Sequence, residues 1–341
     1  MKVFVRFQPS KNNDNFEGAR LRKTIKSALE TLNIPYTDVL MDKFDVAHFI
    51  YVEDENVIQE LKERNIPIVV SALYCENDPS CDYIEYKNKD GERTYNVKPR
   101  AIKFLESADL VLVPNENAKQ ILLNAGITTR IEICEPGVNF SRFDFSRDDE
   151  KELFYRYFNC KRDEKVVLAI GDCSAEVDGL GVVAKAARIC ENTHFFYLAK
   201  SEKGNKISWK NRRAFRKVPH NVTVANLIPD DIYRSALLNA DIYLHPGYKP
   251  AGMVSIYEAM AAKCQLIVRE QAILSDIAID QETAYVASYS ETLAGIIKDY
   301  CEGKIKPTID KAYKMVSKHN IKAFGNKTVG YYQELLKQIR R

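Results

Sequence analysis

The sequence predicts an α/β protein made of two doubly wound domains, and three observations carry that expectation. Short β-branched or aromatic runs alternate with longer helical patterns along most of the chain, as parallel strands joined by crossover helices require. The alternation pauses in the polar, charged stretch 140–149 after Pro136-Gly137 and then restarts. At 341 residues the chain exceeds the usual span of one hydrophobic core, so two domains of roughly 150 to 180 residues are expected.

In chain order, Val3–Phe7 reads as a strand because it enters directly on β-branched and aromatic residues. Ala19–Leu32 reads as a helix, with Leu21, Ile25, Ala28 and Leu29 at helical spacing and Arg20, Arg22, Lys23 and Lys26 around them. That basic helix either lies on a membrane or packs its apolar stripe on the sheet. The alternation continues with Val46–Tyr51, Glu55–Glu63, Ile66–Ala72, Ala101–Glu106, Leu110–Val113, Asn117–Asn124 and Ile131–Glu135. After the pause come a helix at Glu150–Phe158 and a buried strand at Val166–Ile170, which places the boundary near 160. The second half reads Gly181–Cys190 as helix, Phe195–Ala199 and Val222–Ala225 as strands, and Asp230–Asn239 as helix. Ile242–His245 as strand, Ser255–Ala262 as helix, Leu266–Val268 as strand and a last helix over Ala323–Arg341 complete it.

A hydrophobic fraction of 45% and a charged fraction of 28% are ordinary for a soluble globular chain. A net charge of +3 is too small to argue for nucleic acid. The N-terminus has no h-region or cleavage site, so a secretory leader is not expected and a cytoplasmic location is. No apolar run reaches the ~18 residues needed to span a bilayer, so membrane contact would be peripheral, on its inner face. Cysteines at 75, 81, 134, 160, 173, 190, 264 and 301 lie scattered, several within apolar patterns, as free thiols in a reduced compartment do. Their spacing does not match zinc ligands, and no metal is expected.

The segment from Asn239 to Val268 carries the chemistry: a short apolar strand, a Gly-containing loop, then a small-residue helix with one acid, Glu258. This order presents backbone N–H groups and a helix start to a phosphate. With its Glu258-Ala-Met-Ala run, the segment resembles the donor-nucleotide motif of retaining GT-B glycosyltransferases of the large family-four group. The whole chain is loosely similar to bacterial enzymes that add a second hexose to glucosyl-diacylglycerol.

The resemblance implies the GT-B architecture, two Rossmann-like domains facing a central cleft. Residues 1–160 would form the acceptor-side domain and 161–322 the nucleotide-sugar-binding domain, and the helix 323–341 would cross back to the first. Glu258 would accept hydrogen bonds from the nucleotide ribose, since an anion suits two hydroxyl donors; the plainer reading is an acid complementing a helix dipole. The loop Pro250-Ala251-Gly252-Met253-Val254 would aim backbone N–H groups at the diphosphate. Gly171, after the strand Val166–Ile170, and Lys249 would join the nucleotide-sugar-binding residues.

The departures are equally specific. The family's first acid, which holds sugar hydroxyls, falls on Pro250 or, with one inserted residue, Lys249; neither side chain accepts a hydrogen bond. Where the family places two diphosphate cations, Gly171 is followed by Asp172 and Gly179 is preceded by Asp178. The first-domain histidine is replaced by the run Ser71-Ala-Leu-Tyr-Cys75. Lys200, after a strand, is the candidate replacement cation. His245, at a strand end, either touches donor or acceptor or serves in packing.

The stretch 200–217 is strongly basic, with Trp209 and Phe215 among Lys210, Arg212, Arg213 and Arg216. It reads either as a membrane or anion patch or as a solvated face.

Taken with the resemblance, these residues imply transfer of a hexose from a nucleotide sugar, UDP-linked, to a hydroxyl acceptor such as a membrane glycolipid, with retention and without a metal. The rival is a pseudoenzyme on the same scaffold that partners an active glycosyltransferase. An epimerase is disfavoured by the lack of paired acids, and a phosphorylase by length and the lack of a cofactor-lysine signature.

Overall fold

The computed structural model describes residues 1–6, 16–74, 84–87, 93–143, 148–171, 179–199, 218–226, 228–247 and 253–339. The chain folds into two compact units. One comprises Met1–Asn139, Lys249–Ser255 and His319–Arg341, and the other Phe140–Tyr248 and Ile256–Lys318.

The first unit contains β1 (Val3–Arg6), α1 (Phe16–Thr31), β2 (Tyr36–Thr37), β3 (Val46–Phe49), α2 (Glu55–Glu63) and β4 (Ile68–Ser71). A separate antiparallel pair follows, β5 (Ile84–Lys87) with β6 (Arg93–Asn96), then α3 (Pro99–Glu106), β7 (Leu110–Val113), α4 (Glu116–Asn124) and β8 (Ile131–Ile133). Its six-stranded sheet runs β2-β1-β3-β4-β7-β8 with every pairing parallel. β3, β4 and β7 are buried at every position, as strands covered on both faces must be.

The second unit opens with a 3₁₀ turn at Phe140–Phe143 and α5 (Asp148–Phe158). It continues with β9 (Lys165–Gly171), α6 (Leu180–Ile189), β10 (Thr193–Ala199), β11 (Val222–Asn226), α7 (Asp230–Asn239) and β12 (Ile242–His245). After α8 (Met253–Ala261), whose first three residues group with the first unit, come β13 (Gln265–Arg269), β14 (Tyr285–Ala287), α9 (Ser290–Cys301) and α10 (Ile309–Val316). The second sheet, again parallel in every pairing, runs β11-β10-β9-β12-β13-β14. The division at Asn139 lies upstream of the expected boundary near 160, because α5 packs on α7: Ser235 accepts from the Phe154 amide and donates to the Lys151 carbonyl.

α11 (Ile321–Ile339) belongs to the first unit. Its Phe324, Val329, Tyr332 and Leu335 share one core with Leu21, Ile25, Ala28 and Leu29 of α1. The apolar stripe of basic helix α1 is therefore covered by protein. Gly325 permits the approach, since a Cβ there would lie 3.2 Å from the Ala28 Cβ and 3.0 Å from Leu32 Cδ1. No helix of the described residues is long and apolar enough to cross a membrane.

Candidate functional site

In the second sheet β9 is the first strand in chain order, with β10 on one side of it and β12 on the other. From β9 the chain proceeds to one side of the sheet and from β12 to the other, so the carboxyl ends of β9 and β12 mark the topological switch point where doubly wound sheets bind ligands. Gly171 is the last residue of β9 and His245 the last of β12, and both are buried.

The two connections touch. Gly179, at the start of α6, has φ +84°, and a Cβ there would lie 2.5 Å from the Pro246 Cβ and 2.6 Å from its carbonyl oxygen. Only glycine fits both the left-handed backbone and the closeness of the strand-end loop. Next to Pro246, the Gly247 carbonyl accepts a 2.6 Å hydrogen bond from Nε2 of Gln271, two residues after β13. Gln271 is buried, and its Oε1 has no hydrogen-bond partner.

Glu258 lies in α8, its side chain only 6% exposed. A carboxylate so placed costs several kcal/mol, by order of magnitude, unless a counter-charge meets it. Arg142 meets it from the 3₁₀ turn: Nη1 lies 3.3 Å from Glu258 Oε1, and Nη2 lies 2.8 Å from Oδ2 of Asp230 in the first turn of α7. Arg142, Asp230 and Gln271 had escaped the sequence reading. Glu258 and Arg142 are 116 residues apart, and no local pattern links them.

α8 begins at Met253, not at Ser255 as expected, so Met253 and Val254 form its first turn, and their side chains are buried. What they can offer an anion is their backbone N–H groups, which lack intrahelical partners in a first turn. Lys249, Ala251, Gly252, Lys200 and the patch Trp209, Lys210, Arg212, Arg213 and Arg216 lie outside the described residues, as do Asp172, Asp178 and Pro250.

In the first unit, the loop after β4 carries no histidine. Ser71 Oγ instead meets His48 Nε2 at 2.8 Å, and His48 Nδ1 meets the Tyr332 hydroxyl at 2.5 Å. Burial pushes the His48 pKa down to about 3, so it is neutral, and with no exposed surface it is a core residue and no substitute for the family's histidine. Among the described cysteines Cys134, Cys160, Cys190, Cys264 and Cys301 are free. Burial pushes the Cys134 and Cys190 thiols up to about 11, which keeps them protonated and poorly nucleophilic. Among the described residues no group of three or more His, Cys, Asp or Glu could hold a metal.

No family model matches the chain. It is 20% identical over 317 residues to the processive diacylglycerol alpha-glucosyltransferase of Acholeplasma laidlawii, covering 92% of both chains. The structure of Anabaena HepE solved with UDP-glucose superposes with a TM-score of 0.72 at 13% identity, over 98% of this chain and 100% of that one. A glycosyltransferase from Rickettsia africae superposes with a TM-score of 0.70 at 14% identity, over 98% of each chain. The two parallel sheets are those of the GT-B glycosyltransferase fold, and this chain is a distant relative of a bacterial diacylglycerol glucosyltransferase.

Proposed function

We propose that the chain is a retaining hexosyltransferase that takes a UDP-linked hexose and passes it to the hydroxyl of a membrane glycolipid. The observation that carries this is the placement of the switch point in the second sheet. The Gly171 and Gly179 connection meets the Pro246-Gly247 connection there, and the latter leads into the helix that bears Glu258. Glu258 accepts from the ribose, and the backbone N–H groups that open α8 at Met253 and Val254 serve the diphosphate. The acceptor hydroxyl attacks from the face the diphosphate leaves, so the new bond keeps the donor's configuration. The diphosphate is held by protein donors, with no metal ion required.

The similarity to a glucosyltransferase named for diacylglycerol supports a lipid acceptor. The basic, Trp-containing composition of 200–217 suits an anionic membrane surface, so the protein works as a peripheral enzyme at the cytoplasmic face.

Calorimetric titration with a panel of nucleoside diphosphates and nucleotide sugars tests the donor site. Saturable binding of UDP or a UDP-hexose that Glu258→Ala abolishes, with the fold intact, is the expected result. No binding across the panel, or equal affinity in the variant, would remove the assignment. Tight donor binding without transfer to glucosyl-diacylglycerol or any other hydroxyl acceptor would leave the pseudoenzyme reading.

A further inference from the structure

We propose that Arg142 is the positioning residue of the donor site: its guanidinium fixes the plane of the Glu258 carboxylate before the nucleotide arrives. The inference rests on Glu258 being the ribose acceptor. Arg142 sits on a one-turn element whose place is set by packing, with Phe143 buried and the Phe140 ring edge-on to Tyr313, centroids 6.0 Å apart. From there one nitrogen of the fork reaches Glu258 Oε1 at 3.3 Å and the other reaches Asp230 Oδ2 at 2.8 Å. Asp230 is a good anchor, because an acid in the first turn of α7 is favoured by the helix dipole.

A guanidinium presents its donors in one rigid plane, so tethering one nitrogen to Asp230 fixes the direction of the other. The last torsion of a glutamate is otherwise broad. With Oε1 directed to Arg142, the plane of the Glu258 carboxylate is set, and vicinal ribose hydroxyls meet an acceptor already oriented. The ordering cost is met in folding instead of in binding. The same contact gives a nearly buried carboxylate a counter-charge. Asp230, with a side chain 40% exposed, is solvated and has less need of one. The bridge thus serves the acid that lies in the donor motif.

The readout is discrimination between UDP and 2′,3′-dideoxy-UDP, measured by calorimetric titration of the full chain. A carboxylate bonded to ribose hydroxyls gives the parent a preference for UDP of about 10- to 100-fold, and Glu258→Gln should largely remove it. Arg142→Met should lower the preference by about twofold to tenfold while leaving the affinity for the dideoxy nucleotide nearly unchanged. Arg142→Lys keeps the charge without the fork and should fail to restore the preference. Asp230→Asn, which loosens the anchor and leaves Arg142 in place, should lower it in the same direction. If Arg142→Met does not fold, these two variants decide.

A parent-like preference in the Arg142 variants, with both nucleotides weakened equally, would overturn the inference and make Arg142 a structural or diphosphate contact. No preference in the parent, or an unchanged one in Glu258→Gln, would overturn the ribose assignment and this inference with it. A preference lost in Glu258→Gln but kept in every Arg142 and Asp230 variant would overturn this inference alone.

Discussion

Replacing Gly179 by alanine tests whether the two loops at the switch point form a fixed cradle. An alanine there must hold φ near +84°, which costs an L side chain about 1 to 2 kcal/mol. Its methyl would lie 2.5 Å from Pro246 Cβ, 2.6 Å from Pro246 O and 2.7 Å from the Pro246 carbonyl carbon, so backbone must move. Opening such contacts to normal separation resembles overpacking a core, about 1 to 3 kcal/mol. Pro246 cannot yield without disturbing the 2.6 Å hydrogen bond from Gln271 to the neighbouring Gly247 carbonyl, worth about 1 kcal/mol more. The sum is about 3 to 6 kcal/mol, a large part of a typical domain's stability.

Gly181, two positions along the same helix, is the internal control, because nothing lies within 4 Å of a Cβ placed there. Alanine at 181 should be neutral or stabilising by up to about 1 kcal/mol. Urea denaturation followed by far-ultraviolet circular dichroism compares the midpoints, and calorimetry compares UDP affinity. Gly179→Ala should lose both stability and nucleotide affinity while Gly181→Ala keeps both. A midpoint within experimental error of the parent, with affinity unchanged, would refute the cradle.

Two further perturbations address other parts of the chain. His48 has a folded pKa of about 3 against an ordinary 6.5, so below about pH 6.5 the unfolded state takes up a proton that the native state refuses. Stability is lost as pH falls from there towards 3, and the parent should lose about 2 kcal/mol more than His48→Gln between pH 7 and pH 5; equal losses in paired urea titrations would show that His48 is not held neutral. Neutralising Lys210, Arg212, Arg213 and Arg216 together should weaken cosedimentation with anionic phosphatidylglycerol vesicles and remove its salt dependence, whereas equal binding by variant and parent would make the segment a solvated face.

The fold was legible because parallel strands covered on both faces cannot hide their composition: β4 (Ile68–Ser71) and β7 (Leu110–Val113) are unbroken runs of buried, largely β-branched or leucine positions. The β5–β6 pair escaped because Ile84–Lys87 and Arg93–Asn96 carry more charged and polar residues than apolar ones, and the sequence between them reads as a generic polar stretch. The start of α8 was misplaced for a related reason. Met253 and Val254 are apolar and follow no side chain of the kind that caps a helix, so the sequence offers no mark of where the turn begins.

Glu258 stood out as a candidate from its small-residue helix, but its contact with Arg142 did not, because the two lie 116 residues apart and Arg142 is in turn 88 residues from Asp230. The basic residues around Leu21 and Ile25 suggested two fates for α1, and only the packing of Phe324 and Tyr332 from the far end of the chain decides between them. Distance along the sequence, more than chemistry, separates what could be read from what could not.

The same pairing bears on the proposed donor site, for which the sequence carries Asp172 and Asp178 where the resembled motif carries cations. Two anions beside a leaving diphosphate are unfavourable, so some other group must balance the charge. Arg142 is the cation nearest in function among the described residues, yet its two nitrogens already answer two carboxylates. The contact with Glu258 ties Arg142 to the proposed ribose acceptor. In the proposed site the leaving group would then need another cation, for which Lys200 and Lys249 stand nearest in sequence to the strand ends.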